Sequence, residues 1–196
     1  MSEAALNYVE PEEDYEIIEG VKYMAPAASP NHGTIINRLF TIFANYADEH
    51  LFLNMGVFTD NIEIRVDKDN VIRPDLSVVC NLSIVQRYKA LFGFPDLVVE
   101  VLSPSTEKND RGKKKNIYEK NGVKEYWIIE PILRTVEVYH SIDGKFELDE
   151  VYHDYSQDEL EELDEKKRAA VKTEIKVSIL PDLNVEVCRI FRWWGN

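Results

Sequence analysis

The chain has 196 residues, 44% hydrophobic and 11% aromatic, enough apolar material for one substantial core, so a single domain spanning 1–196 is expected. Its 36 acidic residues outnumber 23 basic ones, and the net charge of −13 excludes a polyanionic partner held by bulk charge alone; a nucleic acid would have to meet a local basic surface. Cys80 and Cys188 lie far apart in apolar contexts without CxxC spacing, which excludes a disulfide framework or zinc cage and predicts two buried thiols.

No stretch resembles a signal peptide or approaches the roughly 18 apolar residues of a membrane span, so a soluble, cytoplasmic protein is expected. Residues 1–14 read as a flexible acidic start, and Tyr15 to Met24 as two short ordered pieces about Gly20. Pro26-Ala27-Ala28-Ser29-Pro30 breaks the chain ahead of a helix. Ser29 suits the N-cap, Pro30 the first helical position, and Ile35, Leu39, Ile42, Phe43 and Tyr46 recur at helical spacing to about Glu49.

The period then changes to two: Ile62, Ile64 and Val66 alternate with Asn61, Glu63 and Arg65, and Asp69-Asn70 turns into Val71-Ile72. Leu97 to Leu102 is apolar apart from Glu100, which predicts a central strand covered on both faces. Ser103-Pro104-Ser105-Thr106 offers caps before a polar helix from about Asn109 to Lys120, closed by Asn121-Gly122. Glu125 to Glu130 and Thr135 to His140 predict paired strands, Phe146 to Val151 a third, and Glu174 to Ile179 and Val185 to Ile190 short terminal strands. Asp149 to Glu165 holds nine acidic residues and no lysine or arginine; with the weak stripe Leu160, Leu163, Ala170 and Val171, it predicts an acidic helical insertion over residues 156–173. The order of elements predicts a mixed α/β (α+β) domain with a central sheet flanked by helices.

Two acidic residues sit on strongly apolar strands: Asp75 in Arg73-Pro74-Asp75-Leu76-Ser77-Val78-Val79, and Glu100 in Pro95 to Leu102. A carboxylate in a doubly covered strand is costly to desolvate without a compensating cation or strong donors, so Glu100 needs a partner. Period two puts Glu100 with Val98 and Leu102, opposite Leu97, Val99 and Val101. If the two strands are neighbours, the carboxylates converge and repel unless a divalent cation lies between them. Magnesium, a hard ion that accepts one or two carboxylates and keeps several waters, is the natural candidate. The bland alternative has Asp75 closing a turn after Pro74 and Glu100 paired with a lysine for structure alone.

The following helix supplies that lysine. Lys108 to Lys124 carries seven basic and two acidic residues, a local 7 − 2 = +5. At about 100° per residue only one of Lys113, Lys114 and Lys115 can face the sheet squarely. Lys114, three before Ile117 and four before Tyr118, lies on the inward stripe and could fold back beside Glu100. Lys113 and Lys115 flank it as candidate phosphate contacts, unless the whole run is a solvated face.

Glu16 in Tyr15-Glu16-Ile17-Ile18-Glu19-Gly20, Ser29-Pro30-Asn31-His32, Arg73-Pro74-Asp75, Pro95 to Thr106, the Asp110 to Tyr118 helix and Gly122-Val123-Lys124-Glu125-Tyr126-Trp127 resemble the Uma-two family of bacterial restriction-endonuclease-like proteins, within the PD-(D/E)xK nuclease superfamily. The resemblance runs from about Tyr15 to Tyr139, with an echo at Leu180-Pro181-Asp182-Leu183. It implies a restriction-endonuclease-like fold and makes Asp75 the motif aspartate, Glu100 the second metal carboxylate and the Val101 carbonyl a main-chain ligand. The superfamily lysine two residues after the glutamate is replaced here by Leu102, and its transfer to the following helix matches Lys114. Glu16 and His32 match polar positions that complete the pocket, although His32 fits a structural role equally well. The function implied is an endonuclease that hydrolyses phosphodiesters through a water activated by Mg2+, or by Mn2+. DNA is the expected substrate and a homodimer the expected assembly. A second reading, from the negative charge, the displaced lysine and the aromatic end Phe191-Arg192-Trp193-Trp194, is a non-catalytic binding or assembly protein that retains the nuclease fold.

Overall fold

The computed structural model describes residues 15–24, 29–59, 62–85, 90–91 and 93–192. The expected flexible start, most of the break before the first helix, and Trp193-Trp194 lie outside them. The chain opens with a hairpin, β1 (Tyr15–Ile18) and β2 (Val21–Met24). Its two turn residues, Glu19 and Gly20, both have positive φ (53° and 76°), which suits the right-handed twist of the flanking strands.

Helix α1 (Pro30–Glu49) begins where the caps predict, with the Ser29 hydroxyl accepting from the His32 N–H. It buries Ile35, Ile36, Leu39, Ile42, Phe43 and Tyr46 along one side. Beyond it come β3 (Gly56–Thr59), β4 (Glu63–Arg65), β5 (Val71–Ile72), β6 (Leu76–Val79), β7 (Ala90–Leu91) and β8 (Leu97–Val101). The predicted polar helix is composite: α2 (Glu107–Asn109), a π-helical turn over Asp110–Lys114, then α3 (Lys115–Lys120). Strands β9 (Glu125–Glu130), β10 (Thr135–Ile142) and β11 (Lys145–His153) follow as an antiparallel run.

A six-stranded mixed sheet, ordered β11-β10-β9-β8-β6-β3, forms the centre, and a smaller sheet ordered β2-β1-β5-β4-β7 lies apart from it. β8 pairs antiparallel with β6 and parallel with β9; the parallel join needs a crossover, which the composite helix supplies. All five residues of β8 are buried, as the unbroken apolar run demands. Leu97, Val99 and Val101 join Trp127, Ile129, Val136 and Val138 in a core that also takes in the buried side of α1. Val98 and Leu102 belong to a second core with Tyr118, Tyr126 and Ile128, closed by Ile18, Ile64 and Ile72 from the small sheet. Glu100 therefore projects, as period two requires, toward the side where helix and small sheet meet.

The C-terminal part corrects two expectations. Strand β12 (Glu174–Lys176) pairs with β13 (Asn184–Glu186), but Val187–Phe191 forms a short helix, α6, instead of extending the strand. Val185 and Val187 alternate like a strand, whereas Val187 and Ile190, the buried pair of α6, are three apart, and packing selects the helical spacing. Cys188 falls on the outer side of α6 and is exposed, while Cys80 is half-buried, so neither thiol is sealed as expected. The acidic insertion is helical but broken into α4 (Gln157–Glu162) and α5 (Glu165–Ala170). Ser156 and Glu159 form a reciprocal capping box, and Asp164 caps the second helix through the Lys167 N–H. Asp149 to Val151 lie in β11, within the expected third strand, and β11 runs on to His153.

Candidate active site

Asp75 immediately precedes β6, one residue beyond the Leu76↔Val99 pair, which brings it level with Glu100 on the neighbouring strand. Its Oδ2 accepts the Val101 N–H at 2.7 Å and lies 3.2 Å from His32 Nε2, so the first turn of α1 meets the end of β6 there. Val101 thus meets Asp75 through its main-chain N–H. Glu16, carried in by β1, accepts the Arg73 N–H on Oε1 at 2.7 Å, tying the small sheet to the Arg73-Pro74-Asp75 segment.

The composite helix completes the cluster from above. Lys114 Nζ lies 2.7 Å from Glu100 Oε1, 3.0 Å from Glu16 Oε1 and 3.6 Å from Asp110 Oδ1, and donates to the Arg73 carbonyl at 3.5 Å. The Tyr118 hydroxyl donates to Glu100 Oε1 at 2.5 Å, and Tyr126 donates to the Asp110 main-chain carbonyl at 3.0 Å, holding the π-turn against the sheet. Asp110, Lys114 and Tyr118 are successive four-residue steps along one buried helix face. The floor is closed, with Glu100 and Asp110 each 2% and Lys114 3% exposed. The rim is open: the side chains of Asp75 and Glu16 keep 19% and 17% of their surface.

Residues 3–187 match the sequence model of Uma2, described as "Putative restriction endonuclease". The chain belongs to this family. A Synechocystis protein (strain PCC 6803), itself uncharacterized, is 33% identical over 133 residues, 67% of this chain and 68% of its own length. A solved structure of a "putative nuclease belonging to DUF820" from Anabaena variabilis aligns with a TM-score of 0.67 at 20% identity, over 90% of this chain and 89% of the other, and shares the fold.

In this Uma2 chain, burial pushes the Glu100 carboxyl well above the usual carboxylate range; Lys114 opposes that rise, and the charges of Asp110, Asp75 and Glu16 add to it. Burial works against the Lys114 ammonium, but Glu100, Glu16, Asp110 and Asp75 outweigh it and hold Lys114 charged. Four carboxylates thus face one ammonium. That donor set fits a hard divalent cation, since magnesium needs only one or two carboxylates, here Asp75 and Glu100, with water filling the remaining positions. It does not form a protein-made cage: among the described residues no three His, Cys, Asp or Glu side chains are gathered as ligands.

Burial also raises the Asp110 carboxyl from 3.8 to about 6, with Lys114 only partly opposing. The folded protein holds this proton more tightly than the unfolded chain, so the associated stability is complete below pH 3.8 and is lost as pH rises through about 6. Asp110→Asn is accordingly expected to be more stable than the parent at pH 8, by at most about 3 kcal/mol, with the advantage vanishing near pH 4. Urea melts at the two pH values decide it, and a less stable variant at pH 8 refutes it.

Three features escape the sequence reading. Lys113 and Lys115 are already engaged, the first 2.9 Å from Glu19 Oε2 and the second 3.4 Å above the Tyr139 ring. Tyr118, whose four-residue offset places Lys114 on the inward stripe, reads as an ordinary core aromatic, and its hydroxyl bond to Glu100 has no signal in the sequence. Glu125 is wholly buried, with Trp127 Nε1 donating to Oε1 and both the main-chain N–H and hydroxyl of Ser178 donating to Oε2. Its Ser178 partner, 53 residues away, leaves no mark in the local sequence.

Proposed function

We propose that this chain is a divalent-metal-dependent endonuclease that hydrolyses phosphodiester bonds in DNA. The observation that carries the reading is the convergence of Lys114 Nζ on Glu100 Oε1 at 2.7 Å, from a helix, beside Asp75 on the adjoining strand. The family and the fold shared with a protein described as a "putative nuclease" support it. Asp75 and Glu100 would hold the cation, magnesium or manganese, which would supply positive charge to the phosphoryl oxygens and activate water for in-line attack. Lys114 pairs with Glu100 in the buried floor and offers its ammonium to charge developing on phosphorus. Glu16 and His32 orient Lys114 and Asp75 from the rim. Lys113 and Lys115 would reach phosphates only by exchanging Glu19 and Tyr139 for them.

A homodimeric, cytoplasmic enzyme completes this reading; among the described residues no helix is long and apolar enough to cross a membrane. The non-catalytic alternative draws on the way carboxylates already surround the Lys114 ammonium. Plasmid nicking in magnesium or manganese, absent in chelator, separates the two, together with calorimetric titration of the metal. The enzyme reading expects millimolar or tighter binding that Asp75→Asn abolishes. Wild-type protein giving no heat and no added thermal stability with either metal would establish the alternative.

A further inference from the structure

Each carboxylate proposed to hold the cation is fixed through one oxygen. Tyr118 and Lys114 converge on Glu100 Oε1, at 2.5 and 2.7 Å. The Val101 N–H and His32 Nε2 converge on Asp75 Oδ2, at 2.7 and 3.2 Å. Among the described residues Glu100 Oε2 and Asp75 Oδ1 make no hydrogen bond.

We infer that Tyr118 is a positioning residue of the metal site: its hydroxyl pins Glu100 through Oε1 and thereby leaves Oε2, like Asp75 Oδ1, to a divalent cation. The inference rests on the nuclease reading above and specifies which atoms that reading uses. A purely structural phenol in the same layer meets its needs differently. Tyr126, also fully buried and 5.3 Å from the Tyr118 ring, donates to a main-chain carbonyl. Tyr118 instead spends its only donor on the one carboxylate buried in the face of β8. A ring with two rotatable bonds, packed in the second core, holds that carboxylate more rigidly than the long lysine stem can. Groups that orient a ligand in this way typically change metal affinity by about 10–100-fold when removed.

The test is titration of metal-free protein with Mn2+, followed by calorimetry, on wild type, Tyr118→Phe and Tyr139→Phe. Tyr118→Phe removes one oxygen and leaves the ring packed, so the fold persists, and circular dichroism checks it. Tyr139→Phe is the control, because its hydroxyl donates to Glu137 at 2.7 Å and not to Glu100. The Mn2+ dissociation constant should rise about tenfold or more in Tyr118→Phe and stay within about twofold of wild type in Tyr139→Phe. Wild-type affinity in Tyr118→Phe, or equal weakening in both variants, overturns the inference while leaving the nuclease reading intact. Wild type that takes up no Mn2+ at millimolar concentration overturns both.

Discussion

Glu100→Gln is expected to abolish metal-dependent nicking while the protein stays folded. A metal ion stabilises transition-state charge by several kcal/mol, and each ~1.4 kcal/mol is a factor of ten, so losing its buried ligand should reduce the rate by about a thousandfold or more. Stability should move the other way or not at all. Gln occupies the same volume and its carbonyl can still accept from Tyr118, while the carboxyl it replaces is one that burial makes hard to ionise. Lys114 would keep Glu16 at 3.0 Å and Asp110 at 3.6 Å as partners. Supercoiled plasmid with magnesium, assayed beside a thermal melt, gives both readouts. Undiminished nicking by the folded variant would assign the activity to a contaminant.

The largest loss of stability is expected far from that cluster, at Glu125. Glu125→Ala would remove the acceptor of the Trp127 indole N–H and of both donors of Ser178, and open a cavity where the side chain is 0% exposed. The orphaned Trp127 N–H is buried and costs roughly 1–3 kcal/mol, whereas Ser178 is exposed and its donors can turn to water; cavity formation adds roughly 2–3 kcal/mol, so a total of about 3–6 kcal/mol is expected. The segment around β12 and β13 should loosen first, since Glu125 links Ser178 to the central sheet. Hydrogen exchange at Ile175, Val177 and Val185, compared with Ile128, would locate the effect. Unchanged protection there, or a melting temperature within a degree of the parent, would show that Ser178 is held by other contacts.

Legibility in the sequence depended on whether the deciding contact was local. Ser29, Pro30 and the spaced residues of α1 sit within a few positions of what they determine, and the helix begins and ends as they imply. The face of Glu100 follows from strand alternation alone. The inward direction of Lys114 follows from its distance to Tyr118, four residues along α-helical geometry. The π-turn was invisible, because one wide turn leaves no mark in composition. The ends of the terminal elements were misjudged where Val185, Val187 and Ile190 satisfy two periods at once. The partners of Lys113 and Lys115 come from the β1–β2 turn and from β10, outside the helix, so a cluster that reads as free positive charge is partly neutralised by the fold. Glu125 belongs with these: beside Trp127, two residues on, its other partner is Ser178, remote in sequence.

Placing the ammonium on a helix has a consequence for how this scaffold can vary. A lysine two residues after Glu100 would share a rigid strand with it, and any change in chain length nearby would displace both. Here Lys114 is gauged from Tyr118, whose ring is seated against β9, so its address is counted backward from the crossover's far end. The Ser103 to Thr106 connection can then lengthen or shorten without moving the amine, whereas one residue added or removed between 114 and 118 would swing it out of reach. Tolerance to insertion and intolerance of it are thus divided across a span of only sixteen residues.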